Sequence, residues 1–357
     1  MRHRRRFGRL GLGLSTAVLG LFLAVTPTLA CGGLIGPNGA VNLLQTTTLA
    51  GYHDGVEHYV TSFQFAGGGG AFGSITPLPG VPTSVEKGGD WTLQRLIRET
   101  TPQRDSALFS VGAAASSAEG AEELMKVKID ALDITVLKGG AADIGAWAKD
   151  HGFRLPPDSP EVLDFYAERS PIFLAAAFDA DAAQERGQQI GDGTPVHVTI
   201  PTDNPWVPLR ILALGKGGSE AVTADVYLLT DRAPALLPAP TGSNGIRLDH
   251  SAPASEGLLR DLNSDRGMDW VPQRGWLTKV AIDATAAQLG YDLAIDASGA
   301  GRPSAVDAGF TMPGAVVPPP PADLSRLLLA LAFVAVGLVG IGLIGRARPS
   351  AGRPIGG

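Results

Sequence analysis

His53 and His58 flank the dipeptide Asp54-Gly55 and are the first residues whose types and spacing could do chemistry. If Asp54-Gly55 forms a two-residue turn, His53 pairs with Val56 and Gly51 with His58, which sets both imidazoles diagonally on one face about 7 Å apart. A metal ion could bridge such rings. Glu57 belongs to the opposite face, however, and no third ligand is identifiable nearby, whereas zinc sites take three or four. His53 and His58 are therefore weak metal candidates, and no metal or other cofactor is assigned. Asp261, Asn263, Asp265 and Asp269 begin like a calcium loop, but Arg266 stands at the glycine place and Pro272 at the bidentate glutamate place, so a polar helix-to-strand turn is expected. Asp179 and Asp181 form a still shorter pattern that Ala183 breaks.

Other chemistries have less equipment. Gly68, Gly70 and Gly73 satisfy G-x-G-x-x-G, but Pro77 and Pro79 follow where a helix would have to receive a pyrophosphate, so a turn is expected rather than a dinucleotide site. The chain has no G-x-S-x-G, S-x-x-K or H-E-x-x-H. A triad can still be assembled from distant residues, with His151 or His197 as base. Trp147, Trp206, Trp270 and Trp276 could line a ligand groove, although packing is the commoner use of tryptophan. No catalytic residue is assigned.

The elements that would carry these residues are mostly short. Residues 41–53 and 56–66 read as a hairpin about Asp54-Gly55. Pro77, Pro79 and Pro82 suggest an edge strand running into an extended loop. Asp90 is placed to cap a helix over 91–99, and residues 125–137 return to strand. Helices are expected over 141–151, 161–169 and 255–262, the second with Pro160 at its first position. Residues 172–178, 195–200, 209–214, 222–229 and 276–282 read as strands. Without regular βαβ alternation, the fold class expected is α+β: a mainly antiparallel β ectodomain with several short helices, plus one C-terminal transmembrane helix.

The ends give that ectodomain its address. Residues 1–30 have the three regions of a secretory signal: arginines at 2, 4, 5, 6 and 9, an apolar stretch over 10–25, and Ala30 as the cleavage site before Cys31. Arg4-Arg5-Arg6-Phe7 also fits a twin-arginine core, so general and twin-arginine export both stay open. Cys31 is the only cysteine, which rules out an intrachain disulfide; as first mature residue it is either lipidated or a small structural thiol. Residues 31–311 form the extracytoplasmic part, as one domain or two packed lobes. A Pro-rich spacer at 312–326 leads to an apolar run at 327–345 and an arginine-bearing tail at 346–357. As a helix, eighteen apolar residues span roughly 27 Å, near the thickness of a bilayer core, and the positive-inside rule puts the tail in the cytoplasm. The cell membrane is thus the expected location, with one C-terminal helix as the membrane contact. Setting aside five arginines of the signal and four around the tail leaves 20 basic against 35 acidic residues, a net of −15. Nucleic acid is excluded as a partner on that charge.

Cys31-Gly32-Gly33, the stretch from Tyr52 to Tyr59, the proline-rich run from Ile75 to Pro82 and the block from Trp147 to Leu174 resemble the exported bacterial family called domain of unknown function 2330. The resemblance extends from Cys31 to about Val271. It implies export and a membrane tether, and it brings no reaction, ligand or catalytic residue; many relatives carry a second cysteine after Cys-Gly-Gly, which is missing from Leu34 to Pro37 here. The expected function is a non-catalytic binding or structural ectodomain of the cell envelope, with an unknown envelope protein or ligand as partner. The alternative is an extracytoplasmic hydrolase with a site assembled from distant residues.

Overall fold

A computed structural model describes residues 33–36, 39–40, 46–64, 72–101, 122–185 and 193–310. In chain order the strands are β1 (Gly33–Gly36), β2 (Gly39–Ala40), β3 (Thr46–His53), β4 (Val56–Gln64), β5 (Phe72–Pro77) and β6 (Ser84–Lys87). Helix α1 (Thr92–Thr100) follows, then β7 (Glu122–Ile129), β8 (Leu132–Lys138), α2 (Ala141–Asp150), α3 (Ser159–Ala167), β9 (Ile172–Phe178) and α4 (Ala180–Glu185). The remainder runs β10 (Gly193–Pro201), β11 (Trp206–Val207), a 3-10 turn (Arg210–Ala213), β12 (Ala221–Thr230), β13 (Ala235–Leu237), β14 (Ile246–Pro253), α5 (Glu256–Ser264), β15 (Trp276–Thr285) and β16 (Leu293–Asp296).

These strands make three sheets, ordered β14-β15-β12-β3-β4-β10-β6, β2-β1-β5-β9-β8-β7 and β11-β16-β13. Pairing is antiparallel except between β12 and β3. The β3–β4 hairpin turns at Asp54-Gly55 with φ of 49° and 78°, and pairs Gly51 with His58 and His53 with Val56, as its turn chemistry predicts. Because strand residues alternate, the hairpin has two working faces. Ala50 and Tyr59 enter the larger core, which also takes residues from the six-stranded sheet, while Leu49 and Val60 enter a smaller core closed by α1 and α5.

One part of the expected fold class is corrected. The chain is mainly β with several sheets, consistent with α+β, but no helix among the described residues is long and apolar enough to cross a membrane. The longest is α2, with ten residues. Residues 327–345, where the spanning helix was expected, lie outside the described residues, as do Ala30, Cys31, Gly68 and Gly70.

Four local expectations also change. β5 is central, between β1 and β9, because Pro77 falls at its last position. Residues 125–137 are two strands, folded back at Asp130 with φ of 59°. Residues 209–214 hold the 3-10 turn Arg210–Ala213 instead of a strand, since Asp292 takes the Leu209 and Arg210 N–H groups and the Tyr166 hydroxyl takes that of Ile211. Asp90 does not cap α1. The buried Asp265 carboxylate accepts from the Asp90 and Trp91 N–H groups, each at 3.0 Å, and from the Thr92 hydroxyl at 2.8 Å.

Asp292 is a second buried tie. Its carboxylate accepts from the Tyr166 hydroxyl (2.8 Å), Arg169 Nη2 (2.6 Å) and the backbone N–H groups of Leu209 (2.8 Å) and Arg210 (3.0 Å). Burial pushes this carboxyl upward, but every neighbour it meets is a donor, and the ionised form is the one these groups solvate. Arg169 is as buried as its partner and lies against the rings of Phe165, Tyr166 and Trp206. The pair clamps α3, the 3-10 turn and the segment entering β16 together.

Candidate functional site

The residues most suggestive of a site gather on the helix-side face of the seven-stranded sheet. His58 on β4 and His197 on β10 project there from neighbouring strands, on adjacent diagonal positions because Thr199 pairs with His58 and Val60 with His197. His58 Nδ1 meets His197 Nε2 at 3.0 Å, so one imidazole donates and the other accepts. Trp270, from the loop after α5, stacks on His58 with centroids 4.0 Å apart and planes 3° from parallel.

Gly51 makes that stack possible. It pairs with His58, and a Cβ on it would strike the indole of Trp270. Burial is the chief cause that pushes His58 down to about 3, with His197 and His53 adding to it. His197 is pushed down to about 4, again by burial, against the opposing pull of Asp269. Both imidazoles are therefore neutral at pH 7, and each is a weak base.

His53 shares this face, as the hairpin register requires, but it does not join His58 in a ligand set. Its Nδ1 lies 2.7 Å from Asp231 Oδ1, and its Nε2 lies 3.4 Å from Asp54. Among the described residues no group of three or more His, Cys, Asp or Glu is placed to hold a metal ion. A pair of hydroxyls continues the row on the other side of His58, where Ser84 donates to Thr199 at 3.0 Å.

The calcium-like residues are dispersed into structural work. Asp261 binds Arg95 at 2.8 Å, Asn263 donates to the carbonyls of Asp269 and Val271, and Asp265 caps α1. Asp179 accepts from the Ala182 N–H. His151 contacts its own helix at the Trp147 carbonyl and stacks on Trp147. Trp147 and Trp206 are core, and Trp276 donates to Ser251. Of the four tryptophans considered, Trp270 is the one that meets the His58–His197 pair.

The set is a neutral imidazole pair with an indole laid over one ring. Facing nitrogens are spent on each other, and the described contacts bring no hydroxyl nucleophile to either ring. His197 is buried while Trp270 and His58 are half-buried, so the indole and the edge of His58 are the parts that can pack against a partner group.

The comparisons agree with the sequence resemblance. The family model described as "Uncharacterized protein conserved in bacteria (DUF2330)" matches residues 25–235, and the chain belongs to that family. His53, His58 and His197 fall within the match, whereas Trp270 and Asp292 lie beyond it. No curated protein matches the chain. Among solved structures, the crystal structure of baculovirus P35 is similar at 9% identity and a TM-score of 0.37, over 74% of this chain and 96% of that one. A mutated baculovirus P35 after caspase cleavage is similar at 11% identity and the same TM-score, over 71% and 99%. At that TM-score the likeness is too loose to transfer anything to this chain.

Proposed function

We propose that this chain is an exported protein of the bacterial cell envelope whose folded domain works by binding rather than by turnover. The single observation that carries the reading is the Trp270–His58–His197 set: a fixed ring surface whose facing nitrogens satisfy each other. Export is supported by the basic, apolar and small-residue order of residues 1–30. The net charge of −15 outside the signal and tail disfavours anionic polymers and favours a neutral or cationic envelope partner.

Co-sedimentation of the purified chain with isolated envelope fragments tests the binding. The expected result is retention that Trp270→Ala reduces at least tenfold, with an unchanged circular dichroism spectrum. Equal retention by both proteins overturns the role of this face. Fractionation of cells producing a tagged chain tests the location, and a purely cytoplasmic product overturns export.

A hydrolase is the second reading, and the His53–Asp231 contact favours it because a carboxylate at Nδ1 orients an imidazole for base catalysis. Soluble products released from an envelope polymer, and lost on His53→Ala, would put this reading first.

A further inference from the structure

Glu57 occupies the other face of β4 from His58 and is fully buried, yet neither carboxyl oxygen has a hydrogen-bond partner among the described residues. Its surroundings are specific. Tyr52 stands opposite it on β3 and Ile200 on β10. The Trp206 N–H lies close enough to pull it down slightly without hydrogen-bond geometry.

The titratable and charged groups around it are few. Tyr52 feels Glu57 and also Asp203 of the covering segment. Tyr166, Arg169 and Asp292 stand behind Trp206, where Arg169 is committed to Asp292. Among the described residues no cation pairs with Glu57, and burial pushes this carboxyl up to about 8.

Residues 202–207 cover this end of the sheet; Trp206 and Val207 anchor them in the larger core, and few hydrogen bonds hold the rest. The Tyr52 hydroxyl donates to the Thr202 carbonyl at 2.9 Å, the Thr202 N–H to Gly55 at 3.0 Å and the Ile295 N–H to Pro205 at 3.0 Å. The strand within them, β11, has two residues and, among the described residues, pairs with β16 alone. Two paired residues give this edge strand little hydrogen bonding, so its opening is opposed chiefly by the burial of Trp206 and Val207. A charge formed beneath it is solvated most cheaply by opening it, because an uncompensated buried ion costs several kcal/mol.

We propose that Glu57 is a buried proton switch: protonated, it lets residues 202–207 close over the end of the seven-stranded sheet, and ionised, it releases them. The switch responds to alkaline surroundings, which an exported domain meets directly and a cytoplasmic one does not. It is independent of the binding reading, since Glu57 and the imidazole pair lie on opposite faces of β4.

Hydrogen exchange of the full chain between pH 6 and pH 10, expressed as protection factors, tests it. With an ordinary carboxyl in the open form, linkage makes opening roughly a hundredfold more frequent from pH 6 to pH 9, with a plateau beyond. Protection over residues 202–207 and 293–296 is expected to fall by that factor, while β12 and β15 keep theirs. Glu57→Gln is expected to make the local protection independent of pH. Tyr52→Phe, which loses one tie, is expected to lower local protection already at pH 7 while leaving the pH response intact. A flat wild-type profile, a uniform loss across all strands, or an unchanged pH response in a folded Glu57→Gln protein would each overturn the switch. If Glu57→Gln does not fold, the shape of the wild-type curve and the Tyr52→Phe offset decide.

Discussion

Replacing Asp292 with asparagine should strand one of the most buried cations in the molecule. Arg169 and Asp292 expose 1% and 0% of their side chains and meet at 2.6 Å. Asparagine keeps an oxygen for Tyr166, Leu209 and Arg210, so those three donors stay satisfied and the loss falls on Arg169. The guanidinium retains the carbonyls of Asp307 and Phe165 and its ring contacts, but no counter-charge. Removing one partner of a buried pair costs about 3–5 kcal/mol. With a urea dependence of roughly 3 kcal/mol/M, as fits a domain of this size, the midpoint should drop by about 1.3 M. Trp206, whose ring lies 5.3 Å from the guanidinium, reports the transition by fluorescence. Adding Arg169→Met to Asp292→Asn should recover more than half of the loss, because no bare charge is then left inside. A midpoint shift below about 0.3 M, or a double variant no better than Asp292→Asn alone, would refute the clamp.

Three further outcomes are expected. Asp265→Ala removes the carboxylate that holds the start of α1, and at about 1.5–3 kcal/mol for bonds to a charged group it should lower the urea midpoint and the helical circular dichroism signal together. Gly51→Ala puts a methyl group into the indole of Trp270; an overpacking loss of about 1–3 kcal/mol and an altered Trp270 emission are expected, and a silent substitution would show that the stack does not hold in solution. His197 is pushed down to about 4, so the unfolded chain takes up a proton first as pH falls below 6.5, and stability drains away between there and about pH 4. At pH 5 that amounts to roughly 2 kcal/mol, and urea titrations at pH 7 and pH 5 should show the difference shrinking in His197→Asn.

Local elements were legible where local chemistry decides them. The Asp54-Gly55 turn settles the β3–β4 register and Pro160 opens α3, each within a few residues. Residues 209–214 are short and β-rich like a strand, yet Asp292, some eighty residues on, takes the Leu209 and Arg210 N–H groups where a 3-10 turn begins. Asp90 had the composition of a cap, but Asp265 arrived there first. Strand content was visible; the order of strands was not, because pairing β12 parallel to β3 joins residues that share no local signal.

The site divides along the same line. From the chain alone, alternation places His53 and His58 on one face of a hairpin and Glu57 on the other, since a strand repeats every two residues. Folding alone chooses their partners. His58 goes to His197, 139 residues away, His53 goes to Asp231, and Trp270 settles on His58 because the glycine beneath it leaves room. Periodicity states which way a side chain points, while what it meets there depends on long-range packing that no window of sequence contains.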